Sequence, residues 1–251
     1  MRDVTEERIR LRRETVFLLL SGIFLMAMTL LNVIGITRFV QVGPLSVAVG
    51  VLPYPLTFLC TDLISELWGK KKATHLVWIG FILNVLIIVI MFFAQALPSV
   101  PLHEQPPWQL LPFAPDAEVF LPNGTLAQGP TELFSIIYAT TAGAVLASML
   151  AYLMAQFCDV YVFHKVKELT GGRMLWLRNN VSTLVSQLVD SVAVISITFG
   201  VAIMNGDMAI PVAVGLLLSN YAFKALAALV DTPIIYLAVR FLKKYLAIPQ
   251  G

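Results

Sequence analysis

Six ionisable side chains, Asp62, Glu66, Asp159, Asp190, Lys224 and Asp231, lie inside long apolar stretches of this chain. In hydrocarbon each costs about 2.5–3.5 kcal/mol at a helix centre, so such groups face a cavity, a partner or a ligand rather than lipid. Asp62 and Glu66 are four residues apart and share one helical face, where two carboxylates suit a cationic or donor-rich ligand. Counted from the basic residues that mark the helix ends, Asp190 stands about 18 Å beyond Arg178 and Lys224 about 24 Å before Arg240. Both fall near the middle of a bilayer. An Asp190–Lys224 ion pair in the bundle core is therefore the cheapest arrangement, either as a structural tie or as part of a site. Asn180, Gln187 and Asp190 follow one another at steps of seven and three residues, which makes a polar stripe on a helix otherwise built of Val, Leu, Ile and Ser. Asn32, Asn84, Gln156 and Asn179 add amides to the other stretches.

No catalytic pattern accompanies these groups. A phosphate-binding glycine loop, an HExxH run, a GxSxG elbow and a dinucleotide glycine pattern are all missing from the sequence, so the expectation is a protein that is not an enzyme and does not hydrolyse ATP by itself. Cys60 and Cys158 lack metal-ligand spacing, and His75, His103 and His164 share no helical face, so neither a metal nor another cofactor is expected. The net charge of +2 comes from Lys and Arg spread over short connections rather than gathered with aromatics into a patch, which argues against nucleic acid as a partner.

The elements that must position these groups follow from composition. The chain is 58% hydrophobic and 13% charged, with a mean hydropathy of +0.83. Those are membrane values. Crossing hydrocarbon takes about 20 mostly apolar residues, and such stretches lie near 16–37, 44–68, 73–97, 136–160, 180–204 and 209–239. The expected fold is all-α, a single polytopic domain over 1–251 with six transmembrane helices, a cytoplasmic arm at 1–15 and an external proline-rich loop at 98–132. Lys and Arg set its orientation. They cluster in the N-terminal arm (Arg2 to Arg13), at Lys70, Lys71 and Lys72, from Lys165 to Arg178, and at Arg240, Lys243 and Lys244; the 98–132 loop carries none. Six spans with both termini in the cytoplasm keep all these clusters on one side. Arg2 to Glu14 mixes acid with base, and the apolar run after it is of span length, so no cleaved signal peptide is read here.

Pro53 and Pro55 fall inside the second stretch, which predicts a transmembrane helix interrupted by prolines, a feature that in transporters often marks a ligand site. Aligned on their basic ends, the second, fourth and sixth stretches each place an aspartate (Asp62, Asp159, Asp231) six to nine residues ahead. That hints at three hairpins of similar build.

At these residues the chain resembles a known family. Leu52-Pro53-Tyr54-Pro55-Leu56-Thr57-Phe58, Thr61-Asp62-Leu63-Ile64-Ser65-Glu66-Leu67-Trp68-Gly69, Asp159-Val160-Tyr161-Val162-Phe163 and Trp176-Leu177-Arg178-Asn179-Asn180-Val181-Ser182-Thr183 are similar to the queuosine precursor transporters, the YhhQ-type group, also described as vitamin uptake transporters. The resemblance covers roughly residues 45–240. It implies a bacterial inner-membrane protein that imports a purine-like solute, 7-cyano-7-deazaguanine (preQ0) or a related 7-deazaguanine, for salvage into modified tRNA. Such a base offers N–H and amino donors to a carboxylate, a carbonyl and ring nitrogen to an amide, and a face to an aromatic ring. Asp62, Glu66, Asp190, Asn180 and Gln187 are the expected polar contacts, and Tyr54, Phe58, Trp68 and Trp176 the stacking candidates. Asp159, Asp190, Lys224 and Asp231 are candidates for a core ion pair or for coupling to protons. A homodimer embedded in lipid is the expected assembly. The competing reading is a substrate-capture subunit of an energy-coupling vitamin importer, which also has about six spans; a third is an intramembrane enzyme, which would need a reactive dyad.

Overall fold

The computed structural model describes residues 2–34, 37–42, 45–115, 119–121, 125–205 and 209–248. Helix dominates. The described residues form α1 (Arg2–Ile34), α2 (Tyr54–Trp68), α3 (Lys70–Ala96), α4 (Leu133–Leu169), α5 (Leu175–Asn205) and α6 (Ile210–Tyr245). Strand is confined to connections: β1 (Phe39–Val42) pairs with β2 (Leu45–Ala48), β3 (Leu110–Pro112) with β6 (Pro130–Glu132), and β4 (Val119–Phe120) with β5 (Leu126–Ala127), all antiparallel. The proline-rich 98–132 connection is thus two short ladders and two single 3₁₀ turns. Its residues 116–118 and 122–124 lie outside the described set.

Among the described residues, Glu6–Ile34, Lys70–Ala96 and Ile210–Tyr245 are long and apolar enough to cross a membrane. α2 has 15 residues and so reaches only about 22 Å. α5 carries Arg178, Asp190 and its amide stripe among residues that are otherwise largely apolar, and α4 opens on the apolar stretch Leu133–Ala142. The surface is inverted relative to a soluble protein: Leu18, Leu19, Ile82, Ile90, Phe93, Val230 and Leu237 are exposed, whereas Asp62, Gln156, Asp159, Asn179, Ser182, Gln187 and Asp190 are buried. Water would penalise that outer face, and lipid would not.

The prolines do not interrupt a helix, contrary to the expectation for the second stretch. Pro53 is the N-cap of α2 and Pro55 lies in its first turn, while the residues ahead form the β1–β2 ladder and the 3₁₀ turn Val49–Val51. Their fixed φ suits the opening of a helix. At its other end α2 joins α3 through Gly69 alone, whose φ of +86° a side chain would strain.

α5 packs between α4 and α6, and α2 lies against α1, α3, α4 and α6. Phe24, Met28, Ile64, Val77, Phe163 and Ile235 are fully buried in the apolar core they share. α1 and α3 are joined by Asn32 Nδ2 donating to Asn84 Oδ1 at 2.8 Å, with Asn84 Nδ2 donating to the Gly80 carbonyl at 2.9 Å. A Cβ at Gly80 would stand 2.7 Å from Met28 Sδ, so the small residue is what lets the two helices approach. Both chain ends come to one end of the bundle: Arg13 Nε donates to the Leu246 carbonyl at 3.1 Å, and the Arg12 guanidinium lies 4.9 Å from the Tyr245 ring centroid. Lys72 over Phe17 and Lys70 over Tyr161, each 5.0 Å from the ring centroid, bring the α2–α3 joint to that same end.

Candidate functional site

α2, α5 and α6 enclose a cleft lined by Tyr54, Pro55, Phe58, Thr183, Gln187, Phe223, Lys224 and Asp231, with Ala227 and Ala228 as its floor. The short start of α2 supplies the aromatic wall, the i, i+4 pair Thr183 and Gln187 supplies polar groups from α5, and small residues on α6 leave the space. The cleft holds about 280 Å³ of empty space counted out to its open mouth, yet its interior has room for only about one water. Lys224 Nζ donates to Asp190 Oδ2 and stands 4.6 Å from the Tyr54 ring centroid. Tyr54, Phe58 and Tyr152 form an aromatic group with centroids 5.2–6.3 Å apart, Tyr152 meeting the other two edge-on. Among the described residues, buried Gln187 Oε1 has no hydrogen-bond partner. An unpaired acceptor beside stacking rings is how a site for a flat, donor-bearing solute is built.

Behind the cleft lies a polar interior that does not line it. Asp62 on α2 and Asp159 on α4 lie within hydrogen-bonding reach of one another, and Ser186 Oγ donates to Asp159 Oδ1 at 3.1 Å. Gln156 Nε2 donates to Tyr152 Oη at 2.6 Å. Asp231, at the cleft wall, is near enough for its charge to act on Asp62.

Toward the end where the termini meet, Glu66 gathers three cations from three other helices. Arg178 Nη2 of α5 is 2.6 Å from Glu66 Oε2, Lys167 Nζ of α4 is 2.9 Å from the same oxygen, and Lys243 Nζ of α6 is 3.0 Å from Oε1. Arg178 Nη1 also donates to the Gly172 carbonyl at 2.9 Å, and its guanidinium lies 5.4 Å from the Phe163 ring centroid. With both carboxylate oxygens so engaged, Glu66 is a tie between helices and stands apart from the cleft.

The expected site residues therefore divide. Tyr54, Phe58, Gln187, Lys224 and Asp231 line the cleft, and Asp190 joins them through Lys224. Asp62 and Asp159 sit in the interior behind it. Asn180 is spent on structure: Nδ2 donates to the Trp176 carbonyl at 2.8 Å and to Thr232 Oγ1 at 2.7 Å, and Thr232 Oγ1 donates back to Oδ1 at 3.0 Å, joining α5 to α6. Trp68 packs edge-on against Phe17 with centroids 5.4 Å apart, and Trp176 is half exposed at the start of α5, its backbone N–H donating to Tyr236 Oη at 2.9 Å. Neither ring reaches the cleft. Thr183, Phe223 and the role of Arg178 escaped the sequence reading. Arg178, Ser182 and Ser186 recur every four residues, a second polar face of α5 that was there to be seen.

An apolar exterior around a buried, charge-paired interior defines a helical integral membrane protein. The family model described as "Putative vitamin uptake transporter" matches residues 48–238, and the chain belongs to that family of transporters. It is also 26% identical over 208 residues to the "Probable queuosine precursor transporter" of Bacillus subtilis (strain 168), covering 82% of this chain and 78% of that one. No solved structure matches.

Proposed function

We propose that the protein imports a queuosine precursor, 7-cyano-7-deazaguanine or a close 7-deazaguanine, across a bacterial inner membrane, with six spans and both termini in the cytoplasm. The observation that carries this reading is the cleft. Tyr54, Phe58 and Phe223 offer ring faces, Gln187 and Thr183 offer amide and hydroxyl groups, and Asp231 offers a carboxylate to an N–H and amino edge. The name of the Bacillus subtilis relative supports the substrate class. The meeting of Arg13 with the end of α6 supports an even number of crossings, and the basic clusters gathered at that end support a cytoplasmic side. Because the interior has room for only about one water, α6 must move away from α2 and α5 to admit a bicyclic base.

The test is uptake of labelled precursor into cells unable to synthesise it. Cells carrying this chain accumulate label into tRNA, and cells without it do not. Equal label in both would refute the reading.

A further inference from the structure

Asp62 and Asp159 lie behind the cleft with 2% and 0% of their surface exposed, and their carboxyls are within hydrogen-bonding reach. Two carboxyl groups hydrogen-bond to one another only when one carries a proton, since ionised carboxylates are acceptors alone. Among the described residues Ser186 is the one hydroxyl seen to donate to Asp159 Oδ1, while Asp62 Oδ1 and Asp159 Oδ2 have no donor. A second observation comes from another helix. Arg178, 2% exposed, engages Glu66 and the Gly172 carbonyl through its two terminal nitrogens and leaves Nε buried without a partner. Glu66 is one turn along α2 from Asp62 on the same face, and the Arg178 charge acts on Asp62 as well. One guanidinium is thus bonded to the outer of two carboxyl groups on one face of α2 and keeps one donor free.

We propose that Asp62 and Asp159 bind a transported proton between them, and that its departure draws Arg178 from Glu66 toward Asp62 and so opens the bundle at the end where the chain termini meet. The proposal rests on the transport reading and adds its energy source. With the proton present, Asp62 and Asp159 satisfy each other and Arg178 is left to Glu66. When the proton leaves to the water at that end, Asp62 becomes an unpaired anion in a low-dielectric interior, where the only affordable partner is a nearby cation. Arg178 then divides its bonds, and Glu66 keeps Lys167 and Lys243, the more exposed and more flexible ties. The groups that face the pair are Asp231 from α6 and Arg178, Ser182 and Ser186 from α5; the apolar core beside α2 includes Leu20 and Phe24 of α1 and Leu76 and Val77 of α3. Asp231 also lines the cleft and offers the route by which a proton enters with the solute. One proton is taken up from the outer side and the same one is released inside, so charge and atoms balance.

The experiment uses the full-length protein in liposomes loaded with a pH dye, labelled 7-cyano-7-deazaguanine as the probe, and an imposed pH gradient, together with infrared spectra of the protein across pH. For the unaltered protein the expected results are exchange of labelled for unlabelled solute without a gradient, several-fold greater uptake with the outside acidic, proton entry on adding solute, and a protonated-carboxyl band. Asp159→Asn is expected to lose the gradient effect, the proton entry and the band while solute exchange persists. Asp62→Asn should lose the same band and repeats the test should Asp159→Asn fail to fold. Exchange without any gradient effect in the unaltered protein would overturn the coupling and leave the transport reading standing. Absence of exchange would sink the transport reading, and the coupling with it. A band missing from the unaltered protein, or kept in both variants, would overturn the carboxyl pair whatever the transport result.

Discussion

At the scale of single residues, Glu66 and Gln187 show opposite fates for a polar group in an apolar chain. Glu66 has both oxygens paired, by Arg178, Lys167 and Lys243. Removing one member of such a buried set leaves the others uncompensated, which costs about 3 kcal/mol or more. Glu66→Ala is therefore expected to lower resistance to denaturant by about that amount, measured by unfolding in mild detergent, and Glu66→Gln by less. Gln187, with Oε1 unpaired at the cleft wall, contributes little to stability and should matter for the solute. Gln187→Ala is expected to leave unfolding nearly unchanged and to raise the solute concentration for half-maximal uptake about tenfold, the worth of one buried hydrogen bond. Unchanged uptake would remove Gln187 from the site. Sequence spacing put Gln187, Asp190 and Asn180 on one stripe correctly, but it could not tell that Asn180 is consumed by Thr232, because that partner is 52 residues away.

Helices carry a different kind of information. The apolar stretches were legible from composition because lipid imposes a length and a polarity that few other settings do. Less legible was how α2 begins. A proline pair reads equally as a break or as a start, and only the β1–β2 ladder ahead of it decides. The aspartates of the second, fourth and sixth stretches come near enough in the bundle for the charges of Asp159 and Asp231 to act on Asp62. Asn32 and Asn84 illustrate interhelical bonding inside such a bundle. A double-mutant cycle with Asn32→Ala and Asn84→Ala should give a coupling of about 1 kcal/mol between α1 and α3, within the range seen for such bonds. A coupling near zero would show that packing around Gly80 alone holds the two helices.

For the molecule as a whole, polarity is inside out, and its charge distribution is one-ended. Arg13, Lys72, Lys167 and Lys243 all work at the end where the termini meet. Cysteines introduced one at a time at residues 3 and 247 should be protected from a membrane-impermeant thiol reagent in intact cells and react once the cells are opened, whereas one at residue 108, in the proline-rich connection, should react in both. Labelling of the termini from outside would reverse the orientation.

The two prolines that open α2 have one more effect. A helix that starts beside a buried cleft strands its first amide hydrogens, each an unmet donor in surroundings poor in water. Pro53 at the N-cap and Pro55 in the first turn carry no such hydrogen, so part of that debt never arises. The chain can thus begin a helix beside a buried cleft with fewer stranded donors, and replacing both prolines with alanine would restore the thirst for water that their rings remove.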